Sequence, residues 1–174
     1  MSPRPQIVER RIELPPRLVW AALVDPALVE GWLHPTARLV PASDDGEDRD
    51  DGEDRDDIAR GSTGDGDVAS DPDSVAQVID LDEPLLLAVD SPVLGRLRFD
   101  LSEFPGGSRD ASTRLTLTIF GADAAARPEL VATWLTRFDQ LNDLLHGHPV
   151  DWVNWDRDHR PDYEAHLEAV QASS

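Results

Sequence analysis

The chain has 174 residues, of which 40% are hydrophobic and 29% charged, as expected for one globular domain with a real core. It contains no cysteine, which excludes disulfides, thiolate metal sites and cysteine nucleophiles. A formal net charge of −19 repels phosphate backbones and anionic lipid surfaces, so we expect neither nucleic-acid nor membrane binding. No apolar run reaches the roughly 18 residues of a transmembrane helix, and the first residues lack the apolar core of a secretory signal. The sequence therefore predicts a cytoplasmic protein.

Residues 5–14 predict an edge strand with Val8 and Ile12 on its apolar face, although Arg10 falls on that same face. Two prolines then end the strand and suit a helix start. Asp25 followed by Pro26 predicts the start of a second helix, since Asp is a good N-cap and Pro a good first residue. The N-terminal part is thus predicted as one strand and two short helices.

An acidic segment follows. Residues 44–73 hold fourteen Asp and Glu and three Arg, and the hexapeptide DGEDRD occurs twice in tandem at residues 45–56. Such a sequence has nothing to bury, and ordering it costs about 1–2 kcal/mol per residue in backbone entropy. We expect residues 43–74 to form an inserted mobile acidic loop. No frame of the repeat supplies the ligand spacing of an EF-hand calcium loop.

Strand patterns return after this loop. Short apolar runs at residues 75–80 and 84–90 and clean alternation at residues 96–104 and 112–119 predict consecutive strands of an antiparallel sheet with one polar face. Residues 128–147 then show one apolar stripe at helical spacing, with Thr133, Arg137 and Gln140 away from it. Beyond residue 150 the sequence predicts a tail, residues 151–174, with a short helix over residues 161–171.

This order of elements is similar to the helix-grip fold of the START-like (SRPBCC) superfamily. Within it, residues 15–32, 78–85, 113–118 and 134–145 resemble motifs of the activator of heat-shock protein 90 ATPase homologue family. The resemblance covers residues 6–148. It implies an α+β domain over residues 1–150, in which a curved antiparallel sheet wraps around the long C-terminal helix. Residues 36–41 predict a second strand. The Gly-rich apolar strand that the family has after the helix pair falls about where this chain places the acidic repeat, so here it is missing, badly degraded or displaced into residues 58–69.

The fold that the resemblance implies can enclose a cavity between sheet and helix. The function predicted from it is non-catalytic binding of a small hydrophobic ligand, with seven side chains lining the space: Trp32, Phe99, Leu101, Leu117, Trp134, Phe138 and Leu141. Solid packing of these side chains as core is the competing interpretation. The second functional hypothesis is a protein-interaction module of co-chaperone type, which would have a protein partner.

Catalysis and metal binding are less favoured hypotheses. Asp100, Glu103 and His34 are the acid–base candidates for a START-like enzyme, yet no triad spacing, phosphate loop or nucleotide fingerprint accompanies them, and we assign no catalytic residue. His146, His148 and Asp151 could form a metal site, but a helix end also suits histidines. We therefore predict no metal and no cofactor. The aromatic residues of the tail, Trp152, Trp155 and Tyr163, are expected to pack on the domain's own surface or to meet a partner.

Overall fold

The computed structural model describes residues 4–34, 38–40, 75–92, 94–107, 109–123 and 125–173. The described strands are β1 Gln6–Ile12, β2 Arg38–Val40, β3 Val75–Asp82, β4 Leu86–Ser91, β5 Gly95–Pro105 and β6 Ala111–Ile119. The helices are α1 Pro16–Val24, α2 Pro26–Val29, α3 Arg127–Leu145, α4 Trp155–Asp158 and α5 Arg160–Ala172, with a 3-10 turn at Trp152–Asn154. The predicted acidic loop, residues 43–74, lies outside the described residues.

The described strands form one sheet in the order β1-β6-β5-β4-β3-β2. Five of them are joined by antiparallel pairing, and the sheet wraps around α3, so the predicted α+β helix-grip fold is confirmed. The strand after the helix pair is a three-residue strand, β2, that pairs with β3 in parallel. Adjacent parallel strands need a crossover of about a dozen residues or more, and residues 41–74 between β2 and β3 are long enough for it.

The inner face of the sheet is built by strict alternation. Leu97, Phe99 and Leu101 of β5 pair with Ile119, Leu117 and Leu115 of β6, and all six side chains are buried. Their neighbours in sequence point to the opposite face, where Arg98 and Asp100 form an ion pair. One face is therefore apolar and covered, and the other is polar.

Helix α3 lies across the inner face with its apolar stripe inward. Trp134, Phe138 and Leu141 are fully buried, and the ring of Trp134 lies edge-on to Phe99 with 5.9 Å between centroids. A buried tryptophan removes roughly 200 Å² from water, which contributes about 5 kcal/mol before entropy is subtracted. This contact between sheet and helix is the centre of the core.

The helix pair closes one end of the core. The Asp25 carboxylate accepts from the Ala27 backbone N–H at 3.0 Å, which confirms it as the N-cap of α2. In the turn that follows this helix, the buried indole of Trp32 donates to the Ala22 carbonyl of α1 at 2.8 Å. The bond fixes the angle between α1 and the chain that leaves α2.

The segment beyond residue 150 folds back onto α3. Asp139 of α3 accepts from the Arg10 guanidinium of β1, and its second oxygen lies 2.6 Å from His166 Nε2 of α5. The same carboxylate thus joins the first strand, the long helix and the last described helix. Arg10 interrupts the apolar alternation of β1 because its partner lies on α3.

Candidate functional site

The seven predicted ligand-binding residues form one contiguous cluster in the interior. None is more than 4% exposed, and the aromatic rings contact one another, with 6.1 Å between the centroids of Trp134 and Phe138. These distances are typical of paired aromatic rings in a packed core. The structure brings all seven together in one core cluster, and none of them lines the pocket described next.

A half-open pocket of about 350 Å³ lies on the opposite side of α3. We call it the α3 outer pocket. Three structural units build it: one face of α3, the chain after α2, and the segment beyond residue 150. Its lining residues are Leu33, His34, Thr133, Thr136, Arg137, Gln140, Trp152, Trp155, Arg160 and Tyr163.

The floor of the α3 outer pocket is a single helix face. Thr133, Thr136, Arg137 and Gln140 follow the i, i+3, i+4, i+7 spacing that aligns side chains along a helix. Both threonine hydroxyls donate back to helix carbonyls, Thr133 to Glu129 at 2.8 Å and Thr136 to Ala132 at 2.9 Å. Their hydroxyl protons are therefore satisfied within α3 and are not available to a ligand.

The aromatic wall is held in place by its indole N–H groups. Trp152 donates to the Glu30 carbonyl at 2.8 Å. Gln140 is almost fully buried, and the amide orientation that satisfies its neighbours donates to the Trp32 carbonyl and accepts from Trp155 Nε1. A buried amide left without these partners would cost roughly 1–3 kcal/mol, so Gln140 fixes the position of the Trp155 ring.

Close backbone contact brings the wall against the helix pair. The Val150 N–H donates to the Gly31 carbonyl at 2.9 Å. A Cβ placed on Gly31 would come within 2.9 Å of the Leu144 side chain and 3.2 Å of the Leu28 carbonyl. Glycine at this position therefore lets the last turn of α3 pack closely against the turn after α2, next to the chain that leads to Trp152.

Arg137 is the main charged group of the α3 outer pocket. Its guanidinium lies over the face of Trp134, 4.7 Å from the ring centroid, in cation–π geometry. Burial lowers the pKa of Arg137 to about 10, so it remains a cation at neutral pH. Among the residues that the structure describes, no carboxylate lies within ion-pair distance of Arg137.

His34 stands at the mouth of the pocket, with 6.1 Å between its ring centroid and that of Trp152. Burial, and then the positive charge of Arg137, lower the pKa of His34 below its ordinary value of 6.5. Both effects favour the neutral imidazole. The shift also indicates that the field of Arg137 reaches the mouth of the pocket.

The other candidates from the sequence lie elsewhere. Asp100 is held by Arg98 on the outer face of the sheet. Asp151 accepts from the Asn154 side chain at 2.7 Å and from the Val153 N–H, and the Asn154 bond holds the pKa of Asp151 below its ordinary value. Across the described part of the chain, no three His, Cys, Asp or Glu side chains are grouped to hold a metal ion. No helix there is long and apolar enough to cross a bilayer.

The sequence pattern did not find this pocket. Thr133, Arg137 and Gln140 lie off the apolar stripe of α3, which is the usual signature of a solvated face. The structure covers that face because the segment beyond residue 150 packs on it. The available signal was the aromatic content of that segment, in Trp152, Trp155 and Tyr163.

No family model and no curated protein matches this chain. Solved structures do match. A conserved protein of unknown function from Enterococcus faecalis is 16% identical with a TM-score of 0.54, over 97% of this chain and 85% of its own. The solution NMR structure of CalU16 from Micromonospora echinospora is 15% identical with a TM-score of 0.56, and the match covers 95% of this chain and 84% of CalU16. A protein from Bordetella parapertussis is 21% identical with a TM-score of 0.51, and the match covers 94% of this chain and 86% of that protein. At sequence identities this low, the structural similarity shows the fold alone.

Proposed function

We propose that this protein binds a small, largely apolar molecule in the α3 outer pocket and does not transform it. One observation carries the proposal: an aromatic wall is fixed by hydrogen bonds around a half-open space of about 350 Å³. Small-molecule sites are usually concave, mostly apolar and about 300–1,000 Å³ in volume. Trp152, Trp155 and Tyr163 supply shape and dispersion in this arrangement, and a few polar groups set the orientation of the ligand.

The interior position predicted from the sequence, between the sheet and α3, stays the second candidate position for a ligand. The outer pocket is favoured because its space requires no separation of packed rings. A ligand in the interior would have to part Trp134 from Phe99 and Phe138, which are in contact. Separating these rings would lose the favourable dispersion energy of all the contacts between them.

The protein-interaction hypothesis remains the alternative, and the exposure of Trp152 and Trp155 distinguishes the two hypotheses. An interaction surface of co-chaperone type would have large apolar side chains exposed around Trp152 and Trp155. Both indoles are instead partly buried, and their N–H groups are bonded within the chain. This arrangement favours the interpretation that the two indoles form the wall of a ligand pocket rather than a protein-docking surface.

Membership of the START-like superfamily, and of its heat-shock protein 90 ATPase activator homologue branch, is part of the same proposal, as is a cytoplasmic location. The helix-grip topology of the described strands supports this superfamily assignment. The function itself depends on the pocket and not on the superfamily.

A neutral aromatic probe tests the proposal. The chain has five tryptophans, whose indole N–H signals resolve in a 15N-labelled spectrum. We expect titration with 1-naphthylacetamide to shift the signals of Trp152 and Trp155 while Trp20, which belongs to the core cluster, stays in place. Shifts at Trp20 and at the Leu117 methyl groups would place the ligand in the interior. No shift at any tryptophan, with this probe or with the anions 1-naphthylacetate and 1-naphthyl phosphate at up to millimolar concentration, would overturn ligand binding.

A matched pair of variants completes the test. Trp155→Ala removes part of the wall and should abolish the rise in melting temperature that the probe produces. Val153→Ala is the control, because Val153 is 93% exposed, lies two residues away and does not line the pocket. Native mass spectrometry of protein purified from its own host then identifies any retained molecule by its mass.

A further inference from the structure

The α3 outer pocket has the opposite charge from the rest of the protein. Asp and Glu account for 35 of the 174 residues, yet none lines this pocket, whereas Arg137 and Arg160 do. A cationic concavity in a polyanionic molecule focuses a positive potential inside it. Such a potential favours a ligand with negative charge.

Nearby carboxylates are already bonded to other side chains. Asp139, two residues from Arg137 on α3, is bonded to Arg10 and His166. Asp156 pairs with Arg160 at the rim, across one helical turn. Within the described residues, Arg137 therefore has the face of Trp134 as its partner and no counter-ion.

An unpaired guanidinium in a partly dry position is expensive unless something compensates it. The indole face of Trp134 does so in part, with the guanidinium carbon 4.7 Å from the ring centroid. A planar fork of N–H donors matches an oxyanion that accepts two parallel hydrogen bonds. The position of Arg137 in the floor of the pocket puts these donors next to the ligand space.

We infer that the ligand of the α3 outer pocket carries an oxyanion on an aromatic or aliphatic body, and that Arg137 binds this oxyanion while Trp152, Trp155 and Tyr163 contact the body. The inference rests on the proposed function and adds the chemical class of the ligand. A carboxylate and a phosphate monoester share the required chemistry, and the experiment separates them.

Three probes with one aromatic body test the inference: 1-naphthylacetamide, 1-naphthylacetate and 1-naphthyl phosphate. The first two have nearly the same shape and differ in charge. We expect at least one of the two anions to bind the wild-type protein about tenfold or more tightly than the amide, as one charge-assisted hydrogen bond provides. The tighter of the two anions identifies the oxyanion.

Arg137→Met retains an apolar stem over Trp134 and removes the charge. We expect it to lose the preference for the anion over the amide. Arg137→Lys should restore part of the preference, since it retains the charge without the fork. Arg160→Gln is the control, because Arg160 is exposed and already paired with Asp156, and it should change the preference less than Arg137→Met. Melting temperatures of all variants, measured first, establish that each is folded.

Two results overturn the inference and leave the proposed function standing: equal affinity of the wild type for amide and anions, or a preference that persists in Arg137→Met. In either case Arg137 serves to cover Trp134. A wild-type protein that binds none of the three probes overturns the proposed function itself. Binding by the anions alone supports both.

Discussion

The two faces of α3 are built on different principles. The inner face contacts the sheet through Trp134, Phe138 and Leu141, all fully buried, and its energy comes from apolar area and close packing. The outer face carries Thr133, Arg137 and Gln140 beneath the α3 outer pocket, and it is organised by hydrogen bonds and charge. The same helix is therefore a core element on one side and the floor of a pocket on the other.

The comparison of the two faces shows where a charged binding group can lie without destabilising the fold. Unpaired charge in the interior would cost several kcal/mol. On the outer face, the same charge is shielded by an indole and open to a ligand. Trp134 belongs to both environments, since Phe99 meets its edge and Arg137 covers its face.

The largest expected effect comes from breaking the inner face. Trp134→Ala removes a fully buried ring and leaves a cavity beneath Arg137, so we expect a loss of about 3–5 kcal/mol in the free energy of unfolding. Urea unfolding followed by circular dichroism measures it. Trp152→Ala, the same change at the half-buried wall of the outer pocket, should cost no more than half as much. Equal losses of unfolding free energy in Trp134→Ala and Trp152→Ala would contradict the proposed difference between the two faces.

A smaller effect is expected where the two faces are tied together. Asp139→Asn retains the shape of the side chain but removes the charge that holds Arg10 and His166, and we expect a loss of about 1–2 kcal/mol, reduced by the partial exposure of all three groups. Asp143→Asn, an exposed position on the same helix, is the control and should be nearly neutral. Hydrogen exchange should show faster exchange of α5 in Asp139→Asn than in the control. Unchanged protection of α5 would mean that this tie does not hold the helix.

The smallest effect concerns pH. Because the pKa of His34 in the folded protein lies below its ordinary value of 6.5, the unfolded chain binds the proton more readily than the folded one. The contribution of His34 to stability is therefore complete above about pH 6.5 and is lost as the pH falls through that value toward the folded pKa. An NMR titration of the imidazole should give a midpoint below 6.5 in the wild type.

The same titration in Arg137→Met sharpens the comparison. Burial is the larger cause of the shift and remains in the variant, while the charge of Arg137 is removed. We expect the midpoint to move upward, part of the way toward 6.5. An unchanged midpoint would mean that the field of Arg137 does not reach the mouth of the pocket.

The inner face was predictable from sequence because its signals are local and periodic. Alternation in β5 and β6 and the helical stripe of α3 each repeat within a few residues, and they correctly indicate which side chains are buried. Arg10 violated the alternation for a reason that no local pattern contains, since its partner Asp139 is 129 positions away.

The α3 outer pocket could not be predicted in the same way. A polar helix face has the same periodicity whether water or another segment covers it. Which of these occurs depends on how the segment beyond α3 folds back on it, as in the bond between Gln140 and Trp155. Binary patterning therefore located the core and could not locate the pocket.

The wall of the pocket comes from one contiguous stretch, residues 151–163, that contributes little to the interior. Substitutions there can alter which molecule is accepted at a smaller cost in stability than substitutions in the interior, so selectivity and foldability can evolve largely as separate traits. Exchanging that stretch among proteins of the same topology is then a direct route to new binding preferences on an unchanged scaffold.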